Sequence, residues 1–565
     1  MMTNGAPTNR KNLIDCVLHW EQQKPDAIYL TQPYGDGNIV DYTWREVTDQ
    51  ARRFAAYLLS LNYPKGSNIA ILGKNSAHWI MADIAIWMAG HVSVPLYSTL
   101  NAETAQYILQ DSEAKLLILG KMDGTTDTWN DVKDHLPAGL PIISLPMSPR
   151  NDVPQWLDII KQYPPLQDVI QRDDDALATI VYTSGSTGKP KGVMHCFRSM
   201  TAGMQGLQDE MGVTENDRML SYLPLAHVAE RAAVETNSLY SGFRLYFAEK
   251  LETFQADIKR ARPTIFFSVP RLWMKFYLAV NHKMSPAKQR ILFAIPILSG
   301  FIKKKILTEL GFDQIRFALT GAAPLPPDII LWYRKLGLEL LEVYGMSEDF
   351  GNSHLSRPGK VRIGYVGSPT PGTLSRIAAN GELEVKSPSL MLGYYKLPEK
   401  TAEEMTPDGF LRTGDRGEFD AEGRLRITGR VKELFKTSKG KYIAPAPIEN
   451  KFNHPQLEVS CVTGPDLPQP FILLMLSLEA RQALDKGTLN RETLTGEFDK
   501  LISQVNATLE DHEKLAFAVI VKDQWTMENG FLTPTMKIKR NVIEERYLPF
   551  AEGWQKQGVR VIWET

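Results

Sequence analysis

Tyr182-Thr-Ser-Gly-Ser-Thr-Gly-Lys-Pro-Lys-Gly192 follows the apolar run Thr179-Ile-Val-Tyr182, and beyond it Met200, Met204, Leu207 and Met211 recur at helical spacing. The order is strand, polar glycine-rich loop, helix. The loop carries the hydroxyls of Thr183, Ser184, Ser186 and Thr187, the glycines 185, 188 and 192, and Lys189 and Lys191. Such a loop can wrap a polyphosphate, because glycine lets backbone N–H groups approach an anion closely while hydroxyls donate and lysine neutralises charge. A flexible surface loop draws on the same residue types. A Walker-type phosphate loop is excluded, since Thr183 stands where its first glycine belongs and Pro190 where its Ser or Thr belongs.

Outward from this loop, the short apolar runs Asn68-Ile-Ala-Ile-Leu72 and Leu116-Leu-Ile-Leu119 alternate with helix-length amphipathic stretches, which is the pattern of an α/β fold. After the glycine-rich stretch at Gly429-Arg430 the chain has helix and strand signals of its own. Leu494, Phe498, Leu501, Val505 and Leu509 mark a one-sided helix, and Ala516-Phe-Ala-Val-Ile-Val521 reads as a strand. A domain boundary is expected there, giving a large domain over residues 1–430 and a small one over residues 431–565.

The balance of 64 basic and 65 acidic side chains gives a net charge of −1, so no overall field favours nucleic acid. With 43% apolar residues the chain can bury a large core. Cys16, Cys196 and Cys461 form neither a disulfide framework nor a zinc spacing, and a reducing cytoplasm suits them. The first residues lack the apolar core of a secretory signal and no run approaches the ~18–20 apolar residues of a spanning helix, so a cytoplasmic location is expected.

Five further segments follow the loop in a fixed order: Gly321-Ala-Ala-Pro324, Tyr344-Gly-Met-Ser-Glu348, Leu411-Arg-Thr-Gly-Asp415, Gly429-Arg-Val-Lys-Glu-Leu-Phe-Lys436 and Thr533-Pro-Thr-Met-Lys-Ile-Lys-Arg540. Together with the loop they closely resemble the motifs of the adenylate-forming superfamily, which includes acyl-CoA synthetases, luciferases and peptide-synthetase adenylation domains. The resemblance spans about residues 20 to 550. It implies an N-terminal adenylation domain of several subdomains and a small, mobile α+β C-terminal domain. It also implies use of ATP, Mg²⁺ and CoA to turn a carboxylic acid into an acyl-adenylate and then a thioester.

On this likeness the phosphate loop Thr183, Ser184, Gly185, Ser186, Thr187, Gly188 and Lys191 would meet ATP. Thr183 and Glu348 would hold Mg²⁺, a hard ion that prefers oxygen ligands. Gly321, Ala322 and Ala323 would present backbone to adenine, Tyr344, Gly345 and Ser347 would flank the base, Asp415 would take the ribose, and Arg430 would add a ribose or phosphate contact. Lys537 is implied as the group that stabilises charge on the α-phosphate and the attacking carboxylate. Lys539 and Arg540 beside it are expected to be exposed. Lys432 occupies the interdomain hinge position. Gly440 occupies a small-residue position on the pantetheine path, although an ordinary turn uses glycine too. His227, closing Leu223-Pro-Leu-Ala-His227, is placed beside the acyl carboxylate. Two departures stand out. Ser347 replaces the usual Thr, and Val193-Met-His-Cys-Phe-Arg198 lacks the usual Thr-His-x-Asn pattern, so His195 receives no role.

Leu223 to Glu235, LPLAHVAERAAVE, and Ser268-Val-Pro-Arg-Leu-Trp-Met-Lys-Phe-Tyr277 look most like the long-chain fatty acyl-CoA synthetase branch. The implied partners are a medium- to long-chain fatty acid and CoA. An acyl-AMP ligase serving a carrier-protein phosphopantetheine, a CoA ligase for another acid and a non-catalytic nucleotide sensor are the alternatives. Between Lys288 and Lys305 an apolar run, Ile291 to Ile302, precedes Lys303, Lys304 and Lys305. It is either a peripheral membrane contact or a buried helix hairpin broken at Pro296, and the buried hairpin is preferred.

Overall fold

The computed structural model of the protein describes residues 12–124, 127–183, 189–527, 529–533 and 537–564. Backbone proximity divides the chain into two compact units. The first runs to Ala323 and takes in Ile329–Ser375 and Val385–Leu411; the second comprises Pro324–Asp328, Arg376–Glu384 and Arg412–Thr565. Arg430, the last residue before the expected boundary, lies inside the second unit at the end of the strand Leu425–Arg430.

The first unit is α/β. Its seven-stranded sheet runs in the spatial order Gly393–Tyr394, Lys191–Cys196, Leu177–Thr183, Val92–Leu96, Asn68–Leu72, Leu116–Leu119, Ile142–Ser144. Five strands are parallel, while Lys191–Cys196 is antiparallel to both of its neighbours. Strands covered on both faces read as unbroken apolar runs, which explains Asn68–Leu72 and Leu116–Leu119. Ile69, Ile71, Leu116 and Ile118 enter one core cluster, and Ala70, Leu72, Leu117 and Leu119 the other, as the two-residue period of a strand requires. The helix Ala77–Met88 lies within the first cluster and is buried all round, with Ser76 accepting from Trp79 N at its start. The expected helix after the loop spans Phe197–Met211, with Met200, Met204 and Met211 in the core; the side chain of Leu207 lies outside the described residues.

A second sheet places Ile265–Ser268, Phe317–Thr320 and Leu340–Tyr344 side by side in parallel and closes with the short antiparallel strands His354–Leu355 and Ser368–Pro369. Between its first two strands stand the helices Pro286–Ala294 and Pro296–Leu310. They are separated at Ile295, whose extended ψ of 109° is what a following proline imposes. The hairpin broken at Pro296 is therefore present, but its burial is not. Ile291, Ile297 and Phe301 are 67%, 93% and 69% exposed. Apolar composition specified two helices without specifying anything to cover them. Among the described residues no helix is long and apolar enough to cross a membrane.

The second unit is built on a sheet in which Leu457–Thr463 pairs antiparallel with Phe471–Leu476, followed in parallel by Ala518–Ile520 and Val561–Trp563. The helix Arg491–Asn506 begins at an Asn490 cap, whose Oδ1 accepts from Glu492 N at 2.6 Å. It buries Leu494, Phe498, Ile502 and Val505 on one sheet face, while Leu509 falls beyond its end. Ile543, Tyr547 and Trp554 pack into the cluster of the other face. The strand expected over 516–521 is limited to Ala518–Ile520.

Candidate active site

In the first unit the loop-bearing hairpin joins Leu177–Thr183 to Lys191–Cys196, with Thr183 opposite Lys191. Ser184, Gly185, Ser186, Thr187 and Gly188 lie outside the described residues. The base of the hairpin is tight. A Cβ on Gly192 would stand 2.7 Å from Ile180 and 3.1 Å from the Tyr182 ring, so only glycine fits there. The Tyr182 hydroxyl donates to Asp111 Oδ2 at 2.6 Å, which anchors the strand end. Lys189 Nζ stands 5.3 Å over the ring of Tyr107 and Lys191 Nζ 4.4 Å over that of Tyr394.

Tyr394 ties this hairpin to the segment Tyr344–Glu348. It sits on the edge strand that pairs with Val193, and its hydroxyl donates to Glu348 Oε1 at 2.7 Å. Burial, reinforced by Glu348, pushes the Tyr394 phenol up, so it stays a donor at any ordinary pH. Glu348 is buried in the single turn Ser347–Asp349, and its carbonyl accepts from Met391 N at 2.8 Å. The turn folds back on its strand so closely that a Cβ on Gly345 would stand 2.3 Å from the carbonyl carbon of Gly351. Asp349 Oδ1 accepts from Met346 N at 2.8 Å. Its Oδ2 is buried and has no partner among the described residues, and burial, with Glu348 adding to it, pushes the carboxyl up to about 7.

His195, given no role from the sequence, braces this turn. Its ring is buried, and burial lowers its pKa to about 4, so it is neutral at physiological pH. Nε2 lies 2.7 Å from the Ser347 carbonyl, and since a carbonyl only accepts, the proton sits on Nε2. The ring also meets Phe350 edge-on at 4.9 Å. A backbone acceptor leaves no trace in sequence, so no motif announces this contact.

Gly321 follows the strand Phe317–Thr320, and Tyr344 ends the parallel neighbour Leu340–Tyr344. Both therefore stand at the carboxyl edge of that sheet, where open α/β sheets bind ligands. A Cβ on Gly321 would stand 2.5 Å from Val343 Cγ2. Ala322 has φ of +68° and, like Ala323, is exposed, so this loop presents backbone at the edge. The ring of Tyr344 meets that of His354 at 6.1 Å. His227 caps the helix Val228–Glu230 by accepting from Ala229 N at Nδ1, 3.0 Å away, with its ring 6.5 Å from that of Tyr97. The segment then continues as a π-helix, Arg231–Thr236. Arg231 is fully buried, donates to Asp83 Oδ2 at 2.7 Å and stands 5.3 Å over the Trp79 ring, with Glu235 3.3 Å away. Burial raises Glu235 well above the usual carboxylate range.

In the second unit Asp415 and Arg430 face each other across the hairpin Leu411–Phe419 and Leu425–Arg430, with Asp415 Oδ1 3.0 Å from Arg430 Nε. Asp415 is buried while the arginine side chain is half-exposed. Lys432 is exposed in the turn Val431–Glu433. Gly440 is exposed in the hairpin turn between Phe435–Lys436 and Tyr442–Ile443 with φ of +77°, a conformation that itself calls for glycine. Lys537 is exposed, and its backbone N donates to Thr533 Oγ1 at 3.1 Å. Arg540 corrects the expectation of exposure. Its side chain is 10% exposed, and Nη1 and Nη2 donate to the two carboxylate oxygens of Glu449 at 2.8 and 3.1 Å. Lys539 is half-buried.

The donor set of the first unit suits a hard divalent cation. One Glu348 oxygen accepts from Tyr394, and Thr183 at the loop base carries a second hard oxygen.

The family description AMP-binding enzyme matches residues 17–395, and that of the AMP-binding enzyme C-terminal domain matches residues 433–551. The chain is 29% identical to a long-chain-fatty-acid–CoA ligase of Mycobacterium bovis, over 95% of this chain and 96% of that protein. It is also 29% identical to fatty acyl-CoA synthetase A of Dictyostelium discoideum, over 97% and 91% of the two chains. The fold is similar to the adenylation domain of a carboxylate reductase from Mycobacterium chelonae, with a TM-score of 0.79, 21% identity and coverage of 98% and 92%. It is likewise similar to an anthranilate–CoA ligase in complex with anthranoyl-AMP, with a TM-score of 0.77, 20% identity and coverage of 96% and 98%. A chain matched over two-thirds of its length by one family description, with the family's C-terminal domain following it, belongs to the AMP-binding enzymes.

Proposed function

We propose that the protein is an ATP-dependent fatty acid–CoA ligase. A carboxylate oxygen attacks the α-phosphorus of ATP and pyrophosphate leaves, giving acyl-AMP; the CoA thiol then attacks the acyl carbonyl and AMP leaves with the bridging oxygen. The observation that carries this reading is the contact series from the phosphate-loop base to the acidic turn, Thr183 opposite Lys191, Lys191 over Tyr394, and Tyr394 to Glu348. It joins a polyphosphate-wrapping loop to a carboxylate in a member of the AMP-binding enzymes.

Both reactants of the first step are anions, so the residues must neutralise charge and hold the atoms in line. Lys191 supplies positive charge at the loop, with Ser184 to Gly188 as further phosphate donors. Magnesium, when bound by Glu348 and Thr183, would neutralise phosphate charge. The Gly321–Ala323 backbone and Tyr344 take adenine, and Asp415 with Arg430 takes ribose. Lys537 stabilises the charge developing on the α-phosphate and carboxylate. His227, whose Nδ1 accepts from Ala229 N, would stand beside the acyl carboxylate on the motif likeness. The proposed domains are 1–430 and 431–565, with the hinge at Lys432 and Gly440 beside the thiol path.

Residue likeness at 223–235 and 268–277, and the names of the relatives, support a medium- to long-chain acid. A peripheral membrane contact belongs to the same reading, since such an acid partitions into lipid. The test is acid-dependent pyrophosphate release over C2 to C18 acids, with and without CoA. Each further buried methylene favours binding by up to ~0.8 kcal/mol until the tunnel is full, so specificity should climb from C4 to at least C10. A profile peaking at acetate or an aromatic acid would overturn the chain-length reading, and pyrophosphate release without thioester formation would point to a carrier protein as acceptor.

A further inference from the structure

The hairpin Pro286–Ala294 and Pro296–Leu310 is anchored at its base and bare at its tip. At the base, buried Gln289 accepts from Trp332 Nε1 at 2.8 Å and donates to the Met284 carbonyl and to Asn281 Oδ1, each at 2.6 Å; Ile306 and Leu310 are buried. Around the turn at Ile295, Ile291, Ile295, Ile297, Leu298 and Phe301 are 67%, 46%, 93%, 37% and 69% exposed. Large apolar side chains gathered on one exposed tip mark a surface that meets something apolar.

Charge says what that is. Between Asp257 and Glu309 the chain has no acidic residue and eleven Lys or Arg, in a protein whose net charge is −1. Lys259, Arg260 and Arg262 pair with Glu309, Asp257 and Asp313, away from the tip. Lys288 and Arg290 on the first helix, and Lys304 and Lys305 on the second, are exposed on either side of the apolar tip, and Lys303 Nζ lies 5.3 Å over the Phe293 ring. Lys288, Arg290 and Lys304 flank the apolar tip, with Glu309 acting on Lys283 and Lys305 nearer the base, and an apolar point flanked by cations is complementary to acyl chains beneath an anionic headgroup layer. Protein interfaces are depleted of lysine relative to the rest of the surface, whereas Lys288, Lys304 and Lys305 are exposed beside this tip.

The geometry points to this tip as a docking site for an anionic lipid bilayer. Ile291, Ile295, Ile297, Leu298 and Phe301 enter the acyl boundary, and Lys288, Arg290, Lys304 and Lys305 contact lipid phosphates. The purpose of such a contact, delivery of a membrane-dissolved acid, rests on the proposed ligase reading; the contact itself does not.

The test is flotation of the full chain with phosphatidylcholine vesicles, with and without phosphatidylglycerol, in the absence of acid and nucleotide. Wild type should float with the anionic vesicles and lose them as salt rises. Ile297→Glu with Phe301→Glu should lower partitioning roughly ten-fold or more, and Lys288→Gln, Arg290→Gln, Lys304→Gln and Lys305→Gln together should remove the preference for anionic lipid. Leu157→Glu, at an exposed apolar residue of another helix, should change nothing. The tip side chains pack against little, so the variants should melt like wild type. Equal flotation of wild type and the Ile297/Phe301 variant overturns the proposal. So does wild type that ignores vesicles, including the case in which the same substitutions dissociate an oligomer, which would make the tip a protein interface. Because no acid is present, a failed ligase assay leaves this result standing, and a failed flotation leaves the ligase reading standing.

Discussion

The turn Ser347–Asp349 of the first unit and the loops carrying Lys432, Gly440 and Lys537 in the second hold their polar groups in opposite ways. Glu348 is buried, with Tyr394 on its carboxylate and Met391 N on its carbonyl, and His195 holds the carbonyl of the preceding residue. Lys432, Gly440 and Lys537 are exposed. A group that serves one step from one position gains from being fixed in advance, because no reorganisation is then needed during reaction. Groups that must serve two steps in turn gain from lying where a few backbone angles can move them. On the proposed reading, the braced turn would hold nucleotide and metal, and the exposed loops would serve the exchange between half-reactions.

The largest effects test each side at its strongest point. Lys537→Ala should lower acid-dependent pyrophosphate release by about 10²–10³-fold, the usual loss when one preorganised charge is removed from a transition state. Thioester formation from supplied acyl-AMP should largely survive, and melting should not change, since the side chain is exposed. Equal loss in both half-reactions would break the comparison on that side. Glu348→Gln keeps shape but removes the charge that would face the proposed metal, and should cost pyrophosphate release a loss of similar order while the protein still folds. Wild-type adenylation by a folded Glu348→Gln protein would break the other side.

Tyr394→Phe sharpens the braced side. It removes a hydrogen bond to a carboxylate, and groups that orient a metal-binding carboxylate typically alter metal affinity by ~10–100-fold. The magnesium concentration for half-maximal pyrophosphate release should rise about ten-fold, with a smaller fall in the saturated rate. A tyrosine that only packs would lower the melting temperature and leave the magnesium dependence unchanged.

Gly440→Asn sharpens the exposed side. Asparagine tolerates φ near +77° better than other side chains, so the turn should persist while a small side chain enters the proposed thiol path. A few-fold loss confined to CoA capture, with pyrophosphate release intact, is expected. Gly440→Trp should abolish capture, but it adds backbone strain to steric block, so a stable Gly440→Asn protein with full CoA capture would show glycine serving the turn alone.

Much of the fold was legible because it rests on short-range signals. The unbroken apolar runs of Asn68–Leu72 and Leu116–Leu119 reflect strands covered on both faces, and the spacing of Leu494, Phe498 and Val505 reflects a helix with one buried side. The site was legible only as separate motifs. Tyr394 connects the loop to Glu348 from a two-residue edge strand, too short to carry a period, and His195 binds a carbonyl that every residue possesses. Arg540 looked exposed because it ends a basic run, yet its partner Glu449 is 91 residues away. The tip at Ile297 looked buried because composition cannot tell whether an apolar face has a neighbour.

The smallest effect concerns Asp349, whose contribution is to the braced turn itself. Its carboxyl lies near 7 in the folded chain, against an ordinary value of about 4. The folded state thus keeps a proton that the unfolded chain gives up between those values. The stability linked to this group is fully present below about pH 4, declines as pH rises to about 7, and is lost above it. An amide in place of this carboxyl would not titrate but could still accept from Met346 N. The stability of Asp349→Asn relative to wild type should therefore improve as pH rises from 4 to 8, by on the order of 1–2 kcal/mol, less than the full shift implies because the site relaxes when charged. Denaturant midpoints at a series of pH values measure this. If the variant is destabilised by the same amount at every pH, Asp349 is ionised throughout, and a second negative charge beside Glu348 would then make the turn a stronger cation site than its buried, neutral neighbour allows.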